Sequence, residues 1–208
     1  MKALIAVDIQ NDFCPGGALA VSKGDEVVSI ANRLITSCRF DLVVATQDWH
    51  IPGHGSFAST SGQPVGTLGV LDGVPQVWWP DHCVWGTKGA DFHKNLLTGR
   101  ANLILRKGFK KNVDSYSAFR DNASYPTGLR EYLNANKIEH VYVVGLATDY
   151  CVKFTAIDST IAGFKTHLVV NGCRAVNLKA TDEQEAIAEM SKAGVEIIDT
   201  DATALKQL

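Results

Sequence analysis

Four segments of the chain place reactive side chains just past a short apolar run. Asp8 follows residues 3–7 in Val7-Asp8-Ile9-Gln10-Asn11-Asp12-Phe13, and Asp48 and His50 follow residues 42–45 in Gln47-Asp48-Trp49-His50. Lys107 follows residues 103–105 in Arg106-Lys107-Gly108, and Cys151 follows residues 141–144 in Gly145-Leu146-Ala147-Thr148-Asp149-Tyr150-Cys151. A carboxylate, an ammonium and a thiol are the parts of an activated nucleophile: the thiol attacks, the acid moves its proton, and the cation holds the charge. Asp48 and His50, two residues apart, point the same way on extended backbone, and a carboxylate with an imidazole suits Zn, Fe or Mn. Two ligands are not a site. His54, in Gly53-His54-Gly55-Ser56-Phe57, and His82, in Trp79-Pro80-Asp81-His82-Cys83, are the candidates for a third. His93, His140 and His167 fall in or beside regular elements and read as structural.

Cys151 is expected in the first turn of a helix. There the macrodipole, unpaired N–H groups and a cation such as Lys107 would draw a thiol pKa from ~8.5 into the range of about 3.5–7.5. Cys14, Cys38, Cys83 and Cys173 read as small buried residues.

The elements that must position these groups follow from periodicity. The runs at 3–7, 42–45, 103–105, 141–144, 168–170 and, broken by Glu196, 195–198 are rich in Val, Ile and Leu, as strands buried on both faces of a parallel sheet are. Helical stripes lie between them: Val27, Ile30, Ala31 and Leu34; Leu129, Tyr132 and Leu133; and Phe154, Ile157 and Ile161, ending at Gly163. Thr181 with Gln184 reads as a capping box that opens a fourth helix, with Ala186, Ile187 and Met190 on its apolar side and Gly194 as its stop. Alternating strand and helix predicts an α/β fold, a six-stranded, mostly parallel, doubly wound sheet with helices on both faces. Ligands of such sheets bind beyond the carboxyl ends of the strands, where the reactive residues stand. The segment at about 47–81, rich in Gly, Pro and Trp and poorly periodic, reads as a long active-site loop.

Composition sets the outer bounds. The chain has 208 residues, 46% hydrophobic and 20% charged, which predicts one globular domain over 1–208. Its net charge of −2 argues against a nucleic-acid partner. The opening run is cut off by Asp8 and is too short for an export signal, and no stretch is long enough to span a membrane. Five cysteines without a scaffold spacing fit a reducing compartment, so the chain is expected to be intracellular and cytoplasmic. No GxGxxG follows the first run and no Walker-type loop occurs, so a nucleotide is not the obvious ligand.

Six segments in order resemble the nicotinamidases of the isochorismatase-like cysteine hydrolases. They are Asp8-Ile9-Gln10-Asn11-Asp12-Phe13, Asp48-Trp49-His50, Trp79-Pro80-Asp81-His82-Cys83-Val84, Arg106-Lys107-Gly108, Asp114-Ser115-Tyr116-Ser117-Ala118-Phe119 and Gly145 through Val152. Similarity continues through Gly172-Cys173-Arg174 and Val176-Asn177, so it covers nearly the whole chain. The resemblance implies a Rossmann-like fold that hydrolyses nicotinamide to nicotinate and ammonia in NAD salvage, with Asp8, Lys107 and Cys151 as the catalytic triad. It implies a divalent metal, zinc first and iron or manganese next, on Asp48, His50 and His82, with His54 as an extra or supporting contact. Backbone N–H groups of Ala147 and Cys151 would hold the oxyanion, a cis peptide would join Leu146 to Ala147, and Phe13, Trp79 and Tyr116 would pack on the pyridine ring. It is compatible with a homo-oligomer.

Other readings are another amidase of the same superfamily and a non-catalytic binding protein on this fold. The metal-type residues argue against the first, since those relatives need no metal. The intact triad argues against the second. The isochorismate hydrolase branch lacks the cysteine that Cys151 supplies.

Overall fold

A computed structural model describes residues 1–37 and 39–199. Cys38 lies outside the described residues. In chain order the elements are β1 (Lys2–Val7), α1 (Glu26–Ser37), β2 (Leu42–Asp48), α2 (Ala58–Ser61), β3 (Leu68–Leu71), β4 (Val74–Val77) and β5 (Leu103–Lys107). They continue with α3 (Leu129–Ala135), β6 (His140–Leu146), α4 (Lys153–Ile161), β7 (Lys165–Arg174), α5 (Asp182–Lys192) and β8 (Glu196–Ile198). Six strands form one sheet in the order β5-β2-β1-β6-β7-β8, and every pairing in it is parallel.

The central strands are apolar throughout because both of their faces are covered. On one face Ala3, Ile5 and Val7 pack with Leu129 and Leu133 of α3, Ala156 of α4 and Met190 of α5. On the other, Leu4 and Ala6 pack with Val27, Val28, Ala31 and Leu34 of α1. Among the described residues no helix is long and apolar enough to cross a membrane.

Four expectations are corrected. The segment at 47–81 contains an antiparallel hairpin, β3 with β4, whose turn is Asp72-Gly73 with φ of 47° and 83°. An Asp-Gly pair between two short apolar runs is the sequence sign of such a turn, because both positions need positive φ. The stripe Phe154, Ile157 and Ile161 reaches the core only at the half-buried Ile157: Phe154 and Ile161 are exposed, Ile161 by 72%, and α4 buries Thr155, Ala156, Asp158 and Ser159. Their hydroxyl and carboxylate groups find partners there, as when Thr155 Oγ1 accepts from Ala118 N–H and Asp158 pairs with Arg120. Thr181 stands at the start of α5 but makes no side-chain cap. The Glu183 N–H donates to Asn177 Oδ1 instead, at 3.0 Å. Cys151 lies not in a first α-helical turn but in a wider turn, Thr148–Val152, in which Val152 N–H reaches back five residues to Ala147 O. Such wide turns recur at functional sites.

Candidate active site

The sheet order decides which side chains meet. Chain connections run to one side from β1 through β2 to β5 and to the other from β6 through β7 to β8, so the crevice between β1 and β6 is the point where the order reverses. Asp8 is the first residue beyond β1, and Cys151 lies in the turn after β6. Asp48 and Lys107 end adjacent strands and stand opposite each other in register. Four neighbouring strand ends thus deliver four groups to one place.

Lys107 is the hub. Its Nζ lies 2.5 Å from Asp48 Oδ1, 2.8 Å from Asp8 Oδ2, 2.8 Å from Ser115 O and 3.4 Å from Cys151 Sγ. Three ammonium hydrogens face four acceptors, so moving charge among them costs little rearrangement. Burial works against the ammonium, but Asp48 and Asp8 outweigh it and hold the Lys107 pKa well above its ordinary value. Burial likewise opposes charge on Asp48, yet Lys107 and then His50 keep that carboxyl below the usual carboxylate range. Asp8 is different: burial prevails over Lys107, and the Asp48 charge adds to it, so its pKa is raised.

The thiol departs from the sequence expectation. Burial pushes Cys151 well above the ordinary thiol value; Lys107 lowers it, while Asp8, Asp48 and Asp114 raise it further. Desolvation therefore opposes a thiolate here, and Lys107 joins the sulfur to a carboxyl group that can take its proton.

Beyond Asp48 the backbone stays extended. Trp49 N–H donates to Lys107 O at 2.8 Å, His50 N–H to Cys83 O at 3.0 Å, and Trp85 N–H to His50 O at 2.8 Å. Asp48 and His50 consequently face the same side, and His82, next to Cys83, joins them. His50 Nε2 is 3.6 Å and His82 Nε2 is 3.9 Å from Asp48 Oδ2.

Both outer nitrogens are fixed. His50 Nδ1 donates to Gly108 O at 2.7 Å and His82 Nδ1 to Pro80 O at 2.8 Å, which leaves the two Nε2 lone pairs aimed inward. His50 Nε2 is buried and has no hydrogen-bond partner among the described residues. Burial lowers the His82 pKa to about 4, with His50 adding to the effect, so this ring is neutral as a ligand must be. Burial opposes a charge on His50 too, but Asp48 raises its pKa overall. One carboxylate oxygen and two imidazole nitrogens within 4.8 Å of one another fit a divalent ion such as zinc.

His54 stands behind this triangle. Its ring centroid is 4.5 Å from that of His50, and its nitrogens are engaged by Ser56 Oγ at 2.8 Å and Lys110 O at 2.6 Å. It supports His50 and offers no free lone pair.

Phe13, Trp79, Tyr116, Ala147 and Cys151 line one narrow cavity of about 20 Å³ together with Asp48 and His82. Leu19, Asp114, Tyr150 and Val176 complete its walls. Trp79 Nε1 donates to Tyr116 Oη at 3.0 Å, and the Trp79 and Tyr150 rings meet edge to face at 4.8 Å, so the aromatic wall is rigid. Aromatic walls of this kind suit packing against a flat ring. The Leu146–Ala147 peptide is cis, as the resemblance implies.

Sequence reasoning did not single out Gln10 and Gln76. Gln10 Nε2 donates to Asp48 O and Ala90 O, and its Oε1 accepts from Asp48 N–H, each at 2.8 Å, clamping the strand end that carries Asp48. Gln76, from the unpredicted hairpin, donates to Asp114 Oδ2 at 2.9 Å and Tyr116 Oη at 3.2 Å. Gln10 stood inside a recognised segment; nothing local marked Gln76.

The Isochorismatase domain family matches residues 2–202. The chain is 50% identical over 196 residues to the nicotinamidase of Escherichia coli strain K12, covering 93% of this chain and 92% of that protein. A solved nicotinamidase and pyrazinamidase of Acinetobacter baumanii superimposes with a TM-score of 0.92 at 43% identity, covering 98% of this chain and 97% of the other. The pyrazinamidase of Pyrococcus horikoshii, solved in complex with zinc, does so with a TM-score of 0.78 at 35% identity, covering 96% and 99%.

Proposed function

The chain belongs to the isochorismatase domain family, and from that premise we propose that its 1–208 stretch works as one hydrolase domain in which Cys151, Asp8 and Lys107 convert nicotinamide to nicotinate and ammonia. It is an amidohydrolase acting on a linear amide C–N bond, a step of NAD salvage. The observation that carries the residue assignment is the hub: one buried ammonium reaches both the carboxylate of Asp8 and the sulfur of Cys151, at the wall of the cavity that also holds Asp48 and His82.

The chemistry follows from those contacts. As Sγ bonds to the amide carbon, the thiol proton passes to Asp8 Oδ2, and a Lys107 hydrogen turns toward the sulfur. The carbonyl oxygen gains a negative charge that the backbone N–H groups of Ala147 and Cys151 would hold. The C–N bond then breaks, Asp8 gives its proton to the departing nitrogen, and ammonia leaves a thioester on Cys151. Water gives one proton to Asp8 and adds as hydroxide to the thioester carbon; as the C–S bond breaks, Asp8 returns that proton to Sγ, which restores the thiol, and the released nicotinic acid ionises to nicotinate.

Phe13, Trp79 and Tyr116 hold the pyridine ring in the slot. Asp48, His50 and His82 would bind a divalent ion, zinc first, with His54 backing His50; such an ion supplies a Lewis-acid position for the ring nitrogen. The buried free cysteines Cys14, Cys83, Cys151 and Cys173 support an intracellular, cytoplasmic setting. The substrate is a small molecule, and neither nucleic acid nor membrane enters the reading. Ammonia release from nicotinamide by the purified protein, followed by a coupled dehydrogenase assay, tests it; a metal-loaded chain that releases none refutes it.

A further inference from the structure

We infer that Thr46 is a positioning residue that dictates which oxygen of Asp8 takes the thiol proton. This rests on the reaction proposed above. Thr46 lies in β2 and, like Asp8, is wholly buried. Asp8 leaves β1 with φ of 47°, a left-handed conformation that a non-glycine residue adopts only when its surroundings hold it there. Gln10 N–H donates to Asp8 O at 2.8 Å and Lys107 holds Oδ2, and one hydroxyl joins both the backbone and the other oxygen. The Asp8 N–H donates to Thr46 Oγ1 at 3.1 Å, and Thr46 Oγ1 lies 2.6 Å from Asp8 Oδ1.

The donor count fixes the directions. An amide N–H can only donate, so Oγ1 is its acceptor, and the single hydroxyl hydrogen points at Asp8 Oδ1. Oδ1 is therefore the acceptor while the acid is ionised, and a proton placed there would turn the hydroxyl hydrogen away from that acceptor, so a proton taken from Cys151 is favoured on Oδ2. Oδ2 is the oxygen that shares Lys107 with the sulfur, the Nζ lying 2.8 Å from one and 3.4 Å from the other. Without the hydroxyl, the carboxyl can rotate and carry its proton on the oxygen turned away from the reacting nitrogen. Thr46 stands behind Asp8, and the cavity walls are other residues, so the effect belongs to turnover and not to substrate binding.

The experiment compares metal-loaded wild type with Thr46→Val, which keeps the shape and loses the hydroxyl, and Thr46→Ser, which keeps the hydroxyl. In Thr46→Val, kcat for nicotinamide should fall by roughly 10–100-fold, the range for one hydrogen bond to a charged group. KM should stay close to wild type, and Thr46→Ser should restore most of kcat. If Thr46→Val does not fold, Thr46→Ala against Thr46→Ser reads the same hydroxyl. An unchanged kcat in the hydroxyl-free variant, a loss confined to KM, or a Thr46→Ser as impaired as Thr46→Val overturns the inference. A wild-type chain that releases no ammonia overturns the proposed reaction together with this inference, whereas an active wild type matched by Thr46→Val overturns the role of Thr46 alone.

Discussion

Replacing Lys107 by Met tests the hub. The side chain is fully buried between two carboxylates, 2.5 Å from Asp48 and 2.8 Å from Asp8, and Met fills much of its volume without its charge. Removing one partner from a buried ion pair costs about 3–5 kcal/mol, because a charge is left without compensation. Two carboxylates share this ammonium, which argues for the upper end of that range when both are ionised. At about 2–4 °C per kcal/mol for a chain of this size, Tm should fall by roughly 10–20 °C near pH 8.

The loss should shrink as pH falls. The Asp8 pKa is already raised by burial and would rise further without Lys107, so the folded state binds a proton more readily than the unfolded one. A group of that kind adds stability as pH drops toward its folded pKa. In the wild type the raised Lys107 pKa keeps its own contribution complete below its ordinary titration and lost only in strong alkali, so Lys107 adds no slope between pH 5 and 8; the shifted histidines do add one there in both proteins, so the difference between the two proteins is what reports on the carboxylates. Thermal unfolding of metal-free wild type and Lys107→Met, followed by circular dichroism at pH 5, 6.5 and 8, reads this directly. A Tm loss equal at pH 5 and pH 8, or of only a degree or two at pH 8, would refute the reasoning.

Other perturbations isolate other parts of the site. Cys151→Ala should abolish ammonia release while leaving Tm and bound metal near wild type; turnover above a small fraction of wild type would show that the sulfur is not the nucleophile. Gly108→Ala should loosen the metal site, because a Cβ there would lie 2.6 Å from His50 Cε1 on a backbone with φ of 71°. Chelator competition should show metal affinity down by about tenfold or more, and unchanged affinity would count against His50 as a ligand. Benzamide, which has the shape of nicotinamide without the ring nitrogen, should be a poor substrate, by as much as ~10⁴ in kcat/KM. His82→Ala should narrow that gap chiefly by raising KM for nicotinamide, and equal kcat/KM for the two amides in the loaded wild type would remove the ion from substrate recognition.

The sequence by itself determined much of this protein. Five uninterrupted apolar runs and a sixth broken by Glu196 suit strands of a parallel sheet, which made the α/β fold legible, and with it the rule that chemistry gathers past the strand ends, although the edge strand β5 leaves Ile104 exposed. Asp8, Asp48, Lys107 and Cys151 could be picked out for that reason, since each stands at the end of such a run. Helix faces were less legible. Of the Phe154, Ile157 and Ile161 stripe on α4 only Ile157 packs on the core while Phe154 and Ile161 turn outward, because hydrophobic spacing does not register that Thr155, Asp158 and Ser159 have hydrogen-bond partners waiting inside. The Asp72-Gly73 turn carried its own local sign and still went unread within a segment taken for loop.

What only the tertiary structure decided was proximity and its electrostatic result. The register that sets Lys107 opposite Asp48 and the strand order that brings Asp8 beside both arise from pairings between residues 38–59 positions apart, which no local pattern encodes. The Thr46 hydroxyl on Asp8 and the Gln76 amide on Tyr116 belong to the same class. The thiol shows the difference most clearly. Local sequence places Cys151 where a helix begins and a cation is near, which lowers a thiol pKa, while the folded chain buries it among Asp8, Asp48 and Asp114 and raises it. Desolvation is a property of everything packed around a group, so its sign could be known only once the chain had folded over it.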